Sequence, residues 1–392
     1  MNRNRAVSRI EEGPFNEKRV IDAVSASSAE LGADATLGFL FVTPDYASHI
    51  DEMLELVRVY GRVTLLAGAS GAGLIGTSRE MEDSPGFSLL LLNLPDTRVT
   101  AFEFGQGQVQ ESAGPAYWQM ESGVEETDAW IVLAHPARLD VDRWLRDWDT
   151  AYPQVPTLGG LASGGQTVDE IFLLRDGRRV DGAGAVAVAL RGGVRVATIV
   201  SQGCRPIGEP LTVTGARQNV VLTLASKPAY KVLNEVFLSL SERERNRAGG
   251  NIFAGLAVSE YLEEFKRGDF LIRNILEADK TSGAVAIGAI PRIGQTLQYQ
   301  LRDRDSAHEE LRELCAVAHD DELVRPFATL LFSCNGRGRG LFRVPDHDAG
   351  LLAEVFGAGP LAGFFCNGEI GPVGTKTFLH GYTASAALLC DA

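Results

Sequence analysis

A short unit that recurs four times along the 392-residue chain constrains its fold more than any other feature. Each copy contains a buried strand, a helix, a second strand and a loop of small residues. The first strands read ATLGFLFVT, DAWIVLAH, NVVLTLAS and FATLLFSC, and the second strands run into LLAGAS, LGGLAS, AGLAVS and GFFCN. The two strand ends are roughly 30 residues apart in every copy, and this shared order and spacing indicate internal duplication.

The repeated unit predicts an α/β protein in which mixed sheets pack face to face and helices lie outside, an αββα-like layering. Each copy offers about four strands but one major helix, and one helix cannot cover both faces of a sheet. The uncovered face must therefore pack on another sheet. We expect an N-terminal leader with a short helix (residues 1–34), a domain of two copies (35–218) and a second domain of two copies (219–392).

Composition and charge disfavour several classes of partner. The chain has 37 basic and 51 acidic residues, a net charge of −14, so a nucleic acid or an anionic membrane surface is not an expected partner. No segment approaches the roughly 20 apolar residues that span a bilayer. The N-terminus lacks the apolar region of a secretory signal. We expect a cytoplasmic protein.

Cysteine and histidine usage does not indicate a metal site. The five cysteines are an odd number and contain no C-x-x-C pair, so neither a disulfide framework nor a zinc ribbon is indicated. The six histidines do not form an H-x-x-x-H pair. We expect neither a metal nor another cofactor.

Two Gly-rich loops of the last copy form the candidate binding site. SCNGRGRG places Arg337 directly after one buried strand, and CNGEIGPVG places Glu369 after the next. A guanidinium and a carboxylate side by side suit a small zwitterionic ligand, although they could instead form a salt bridge with each other. Loop glycines let backbone N–H groups approach a ligand. The predicted ligand-binding residues here are Asn335, Gly336, Arg337, Gly338, Asn367, Gly368, Glu369 and Gly371.

Several long segments of the chain carry a resemblance to one known family. GFFCNGEIGPVGTKTFLHGYTASAALL, SCNGRG and QYQLRDRDSAHEEL are similar to the FIST C-terminal domain, the first of them to its end. PTLGGLASGG and SQGCRPIGEPLTVT resemble the FIST N-terminal domain. The resemblance to the FIST family covers nearly the whole chain, from about residue 35 to residue 392.

This resemblance implies a sensory module of signal transduction that binds small ligands such as amino acids. The segments that carry the resemblance add His380, Arg302 and Asp303 as secondary ligand-binding candidates. Residues 1–34 are too short for an F-box, a kinase or a cyclase, so we expect any signalling output to come from a separate partner protein.

Two other functions remain open at this stage. In a thiol-dependent enzyme, Cys334 or Cys366 would be the nucleophile, Arg337 would lower a thiol pKa and His380 would act as base. The same cysteines also suit small apolar positions at strand ends, and no triad motif is present, so the sequence favours binding over catalysis. The third possibility is a protein-interaction adaptor without a ligand.

Overall fold

The computed structural model describes residues 3–262 and 264–392. The chain packs into two compact units. The first comprises the residues up to Val200 together with Arg312–Ala392, and the second is Ser201–Leu311. In the described part of the chain, no helix is both long enough and apolar enough to cross a membrane.

The strands are mostly short. In chain order they are β1 (Arg5–Glu12), β2 (Ala35–Val42), β3 (Val63–Ser70), β4 (Leu74–Gly76), β5 (Arg79–Met81), β6 (Gly86–Asn93), β7 (Thr97–Phe104), β8 (Ala129–Ala134), β9 (Thr157–Leu161), β10 (Leu173–Arg175), β11 (Arg178–Arg179), β12 (Ala185–Gly192), β13 (Val194–Ser201), β14 (Cys204–Pro206), β15 (Leu211–Arg217), β16 (Val220–Leu224), β17 (Lys227–Pro228), β18 (Ile252–Ala257), β19 (Phe270–Ala278), β20 (Val285–Ile287), β21 (Thr296–Arg302), β22 (Pro326–Cys334), β23 (Leu361–Cys366), β24 (Glu369–Val373), β25 (Lys376–His380) and β26 (Ala384–Asp391).

The helices are α1 (Glu17–Leu31), α2 (Ile50–Gly61), α3 (Gln106–Glu111), α4 (Pro115–Ser122), α5 (Val141–Ala151), α6 (Ala229–Ser239), α7 (Glu242–Ala248), α8 (Arg304–Asp320), α9 (Gly338–Phe342) and α10 (His347–Phe356). Two 3₁₀ segments, Pro44–His49 and Val168–Glu170, complete the helical structure described.

The segment expected as a leader is part of the first unit. Helix α1 is there, with Asn16 accepting a hydrogen bond from the Arg19 N–H at 2.9 Å and Gly32 ending the helix in the left-handed region at φ 67°. Strand β1 pairs along its whole length with β6, from Arg5 opposite Asn93 onwards. Residues 3–34 therefore contribute an edge strand and a covering helix.

The first unit contains three six-stranded sheets with the same arrangement of strands. Their orders are β1-β6-β2-β3-β10-β11, β7-β12-β8-β9-β24-β25 and β13-β26-β22-β23-β4-β5, which we term the first, second and third sheet. Each has a parallel pair at its centre (β2 with β3, β8 with β9, β22 with β23), flanked by an antiparallel strand (β6, β12 or β26). The first unit is thus a three-fold repetition of one arrangement.

Each copy completes the sheet of another copy. The chain that leaves β3 forms the hairpin β4–β5, which adds to β23 in the third sheet. In the same way, β10–β11 adds to β3 in the first sheet, and β24–β25 adds to β9 in the second. These exchanges form a closed ring, so the three copies depend on one another.

One glycine recurs at the same place in each parallel pair. A Cβ at Gly68, Gly159 or Gly363 would lie within 2.0 Å of a carbonyl oxygen of the partner strand. Such an approach is far inside van der Waals contact, so only glycine fits. The shared glycine is the sequence signature of the three structural copies.

The inward faces of the three sheets share one apolar core. Phe41 of the first sheet packs against Phe332 and Phe364 of the third, with ring centroids 6.4 and 4.9 Å apart, and Ile131 of the second sheet joins the same cluster. Helices α1 and α2 cover the outer face of the first sheet, and α4 and α5 cover the second with their tryptophans. The predicted fold class, α/β with mixed sheets packed face to face and helices outside, is confirmed.

The second unit contains the third sequence copy, and its sheet differs from the three sheets of the first unit. Its sheet has the order β14-β21-β15-β16-β20-β19-β18, and its recorded strand pairs are antiparallel. The third sequence copy supplies β16 and β18, which are not neighbours in this order. The expectation of four equivalent copies, two in each domain, therefore does not hold for the third copy. Apolar strands with similar spacing are compatible both with a sheet that has a central parallel pair and with an antiparallel sheet.

The compact units also divide the chain differently from the expected domains 35–218 and 219–392. Strands β22–β26 belong to the first unit because they form the third sheet of its shared core and receive the hairpin β4–β5. The second unit, Ser201–Leu311, contains the third copy and lies in the sequence between the second and last copies.

Candidate functional site

The two Gly-rich loops of the last copy leave the same end of the third sheet. Strands β22 and β23 are parallel, and Cys334 is in register with Cys366. Directly beyond them, the Asn335 Nδ2 donates a hydrogen bond to the Asn367 Oδ1 at 2.9 Å. Both asparagines are exposed. The structure therefore brings the two predicted loops together and displays a pair of amides at their junction.

Arg337 does not extend toward solvent as expected for a direct ligand contact. Its side chain is 0% exposed, and its Nε and Nη2 lie 2.7 and 2.9 Å from the Oδ2 and Oδ1 of Asp348. Its Nη1 donates to the Tyr382 carbonyl at 3.4 Å, and its guanidinium lies 5.2 Å from the centre of the Phe342 ring. The prediction that Arg337 holds a ligand carboxylate is corrected, because Asp348 on α10 already occupies its bidentate face.

Asp348 is the centre of a buried polar network. The Ser333 hydroxyl donates to its Oδ2 at 2.8 Å, and the His347 Nδ1 lies 2.9 Å from its Oδ1. Burial by itself would raise the pKa of Asp348, but the Arg337 guanidinium and the His347 ring hold that pKa well below its ordinary value. Asp348 is therefore a permanent buried carboxylate.

Glu80 brings a second carboxyl group to this network from another copy. Its Oε1 accepts hydrogen bonds from the backbone N–H groups of Asp348 and Ala349, at 2.8 and 2.9 Å, in the first turn of α10. Burial raises the pKa of Glu80 to about 8, and the negative charge of Asp348 adds to that rise. Near neutral pH, Glu80 is therefore mostly protonated. Sequence reasoning missed this residue, because nothing in the local pattern shows that β4–β5 pairs with a distant strand.

Glu369 and His380 face each other across the β24–β25 hairpin and are also buried. The Glu369 Oε2 accepts a hydrogen bond from the Thr383 N–H at 3.0 Å. The His380 Nε2 donates to the Gly371 carbonyl at 3.0 Å. Glu369 thus fixes the loop that follows β25, and His380 ties the end of β25 to β24, so both side chains have a positioning role within the hairpin.

The predicted loop glycines serve close backbone packing. The Gly336 N–H donates to the Cys334 Sγ at 3.4 Å, and Gly338 begins α9 with φ at +55°. The Gly368 carbonyl accepts a hydrogen bond from the Leu161 N–H of the second copy at 2.8 Å. These glycines hold the loop pair against its neighbours.

Arg302 and Asp303, the secondary candidates, belong to the second unit. Arg302 ends β21, where it pairs with Cys204, and it is buried. The Asp303 Oδ1 accepts a hydrogen bond from the Ser306 N–H at 2.9 Å and so caps the start of α8. Asp303 therefore has a clear structural role.

The loop ends of all three copies are tied together beside the amide pair. The Ser163 N–H donates to the Ser70 carbonyl at 3.0 Å, and its Oγ accepts from the Ala72 N–H at 2.9 Å. The Ser163 hydroxyl in turn donates to the Phe365 carbonyl. The site is thus set on a rigid frame, as precise binding requires.

The Cys366 thiol is poorly suited to nucleophilic chemistry. The cysteines are free and buried. Burial, reinforced by the negative charge of Glu369, raises the pKa of the Cys366 thiol well above its ordinary value, which disfavours the reactive thiolate. Residues 3–262 and 264–392 contain no group of three or more His, Cys, Asp or Glu side chains that could hold a metal ion.

Known proteins resemble this chain over almost its full length. The FIST N domain model matches residues 36–227, and the FIST C domain model matches residues 229–372. An uncharacterized protein of Mycobacterium tuberculosis is 34% identical over 383 residues, which cover 97% of this chain and 98% of that protein. One from Mycobacterium bovis is 33% identical over 379 residues, with 96% and 97% covered.

Among solved structures, a cyanuric acid hydrolase from A. caulinodans aligns over 98% of this chain and 99% of its own, with a TM-score of 0.35 and 10% identity. That likeness is too low to support an argument about function. The two family matches and the identities to the mycobacterial proteins are decisive. The chain belongs to the FIST family, whose domains are generally sensory modules of signal transduction.

Proposed function

We propose that this protein is a cytoplasmic sensory module that binds a small amino-acid-like ligand at the Asn335–Asn367 amide pair and signals through a separate partner protein. One observation carries the proposal: ionisable side chains are concentrated in the interior at one loop junction. Burying charged groups costs stability, and such departures from ordinary packing cluster at functional sites. The buried groups are Glu80, Arg337, Asp348, Glu369 and His380.

The exposed amides are the contact surface in this proposal. Asn335 uses one N–H on Asn367, and Asn367 donates its own Nδ2 to the Ala162 carbonyl at 3.2 Å. An asparagine amide has two donors and a carbonyl acceptor, so Asn335 retains an N–H and its Oδ1 for a ligand. A carboxylate needs donors and an ammonium group needs acceptors, and this pair offers both.

In this proposal, the buried network of Arg337, Asp348 and Glu80 responds to the bound ligand. Arg337 and Asp348 connect the loop after β22 with α10, and Glu80 connects α10 with β5. Because the pKa of Glu80 is about 8, a ligand charge placed above the network changes the fraction of protonated Glu80 at neutral pH. Arg337, Glu369 and His380 are positioning residues in this proposal.

Calorimetric titration of the full chain with each of the twenty common amino acids tests the function. We expect at least one to bind, and we expect it to raise the melting temperature by mass action. Loss of one ligand hydrogen bond in Asn335→Ala should weaken binding by up to about tenfold, because a hydrogen bond contributes roughly 0.5–1.5 kcal/mol.

Asn246→Ala, at an exposed position on α7, is the matched control and should bind like the wild type. The proposal is wrong if no amino acid binds at concentrations up to about 10 mM. It is also wrong if Asn335→Ala and Asn367→Ala both bind with the affinity of the control.

A further inference from the structure

Two arginines stand directly opposite each other on neighbouring strands of the second sheet. Arg98 of β7 and Arg191 of β12 are register partners, so their side chains lie on the same face. Like charges in this position destabilise a sheet unless an anion compensates them. Their face is the one that carries Phe102 and Phe104 farther along β7, under the tryptophans of α4 and α5.

A cavity of about 560 Å³ opens beside this arginine pair. It exists because the helical cover stops there: α4 ends at Ser122, and Gly123 turns the chain away in the left-handed region at φ 65°. The next register pair on the same face of the sheet, Thr100 and Ala189, has small side chains and leaves the floor open. This volume is within the usual range for small-molecule sites, roughly 300–1,000 Å³.

Two arginines and three acidic residues line the cavity, and only some of these charges form ion pairs with one another. Arg191 forms an ion pair with Glu126 at 2.5 Å. In the part of the chain that the structure describes, no hydrogen bond or ion pair is recorded for the Arg98 guanidinium, which is exposed to the cavity. Asp96 and Glu125 also line the cavity. One carboxylate would therefore compensate Arg98, whereas a second negative charge on the ligand would meet these acidic residues.

We propose that this cavity binds a small organic monocarboxylate, with its carboxylate on Arg98 and its uncharged body against Thr100, Val124 and Ala189. A guanidinium holds a carboxylate through two parallel N–H···O bonds. The bound carboxylate also relieves the repulsion between Arg98 and Arg191. This site is separate from the Asn335–Asn367 pair and does not depend on the function proposed there.

N-acetyl-L-alanine is the probe, because it has one carboxylate and no ammonium group. Calorimetry and thermal unfolding are run on the full chain at constant ionic strength, with sodium chloride, succinate and inorganic phosphate as comparison anions. We expect N-acetyl-L-alanine to bind more tightly than succinate or phosphate, which carry extra negative charge. Arg98→Ala should weaken that binding at least about tenfold, and Arg98→Lys should retain part of it.

Arg58→Ala, an exposed arginine on α2, is the control and should leave binding unchanged. Without the probe, Arg98→Ala should melt at or above the wild-type temperature, because it removes a like-charge pair. The proposal is overturned if N-acetyl-L-alanine fails to bind or if phosphate binds as tightly. It is equally overturned if Arg98→Ala and Arg58→Ala lose the same affinity for N-acetyl-L-alanine. It is also overturned if Arg98→Ala unfolds earlier than Arg58→Ala without the probe.

Discussion

Arg337 and Asp348 form a doubly hydrogen-bonded ion pair in the protein interior, with Nε 2.7 Å from Oδ2 and Nη2 2.9 Å from Oδ1. The arginine follows β22 in a Gly-rich loop, and the aspartate is in the first turn of α10. Each charge is removed from water, and each depends on the other for compensation. The pair therefore fixes the loop to the helix and leaves the exposed amides of Asn335 and Asn367 above it.

The first prediction concerns this pair. Arg337→Met or Asp348→Leu alone should lower the free energy of unfolding by about 3–5 kcal/mol, because each leaves an uncompensated buried charge. The double variant should recover much of that loss. Urea unfolding of the three variants measures the coupling. Additive losses in the double variant would show that the two charges do not compensate each other.

The second prediction concerns the pH dependence that Glu80 introduces. The pKa of Glu80 is about 8 in the fold, against 4.5 for the ordinary side chain, because burial and the Asp348 charge disfavour the carboxylate. The folded state therefore holds a proton that the unfolded state releases. This contribution to stability is complete below about pH 4.5 and is lost as the pH rises through 8.

Glu80→Gln mimics the protonated carboxyl group and should remove this dependence. Between pH 6 and 9, wild-type stability should fall relative to the variant by on the order of a few kcal/mol. Glu55→Gln, at an exposed position on α2, should parallel the wild type. Chemical unfolding across this pH range measures the difference. Parallel curves for Glu80→Gln and the wild type would contradict the prediction.

Local sequence signals predicted part of this site. The loops at Asn335 and Asn367 follow consecutive strands of one copy, which predicted that they would be neighbours, and the structure places their amides 2.9 Å apart. The same signals could not predict the environment of Arg337. An arginine among glycines is typical of an exposed binding loop, and only tertiary packing brings the Asp348 carboxylate to it. The contribution of Glu80 was harder still to predict, because Glu80 lies 268 residues away from Asp348 along the chain.

The fold, like the site, was predictable where residues close in the sequence determine the structure, and not where distant strands pair. The limits of α1 follow from Asn16 and Gly32, which are local signals. The exchange of hairpins between copies depends on pairing between distant strands, for which the sequence contains no local marker. The third sequence copy was misleading for a related reason. Its glycine, Gly255, approaches Gln300 and the Gln298 carbonyl rather than a parallel partner strand.

The third prediction tests the glycine that marks the true copies. Gly159→Ala would place a Cβ 1.7 Å from the Val132 carbonyl oxygen, so we expect loss of soluble, folded protein. Gly350→Ala is the control: it is in α10, its added Cβ meets nothing within 4 Å, and alanine is the better helix former. Soluble yield and melting temperature measure both. A folded Gly159→Ala of wild-type stability would contradict the register of β8 and β9.

The fourth prediction concerns the thiols. Because burial raises the pKa of Cys366 well above its ordinary value, iodoacetamide should modify it in the folded protein far more slowly than a model thiol. Cys366→Ser should leave amino-acid affinity within a few-fold. Mass spectrometry of the alkylated folded chain, with the urea-unfolded chain as control, gives the rate at each cysteine. Rapid alkylation of Cys366 would revive the thiol-enzyme hypothesis.

The last prediction uses the ring of three copies. The turn after β6 carries the chain from the first sheet to the second, and the turn after β12 carries it from the second to the third. A third turn of this kind would connect β26 to β1. The structure places Asn4, just before β1, and Asp391, at the end of β26, there: the Asn4 Nδ2 donates to the Gly193 carbonyl at 2.7 Å and to the Asp391 Oδ1 at 2.8 Å. The Gly193 N–H in turn donates to the Asp96 carbonyl at 2.9 Å.

A short turn should therefore be able to connect Asp391 to Asn4. We expect a circular permutant, joined by about four Gly and Ser residues and opened between Pro95 and Asp96, to fold with stability within about 2 kcal/mol of the wild type. A permutant opened between Ser163 and Gly164 should fail, because Ser163 ties the loop ends of all three copies together. Circular dichroism and urea unfolding compare the two. If the permutant opened at Pro95 is as unstable as the one opened at Ser163, the three sheets do not form the equivalent ring that their topology indicates.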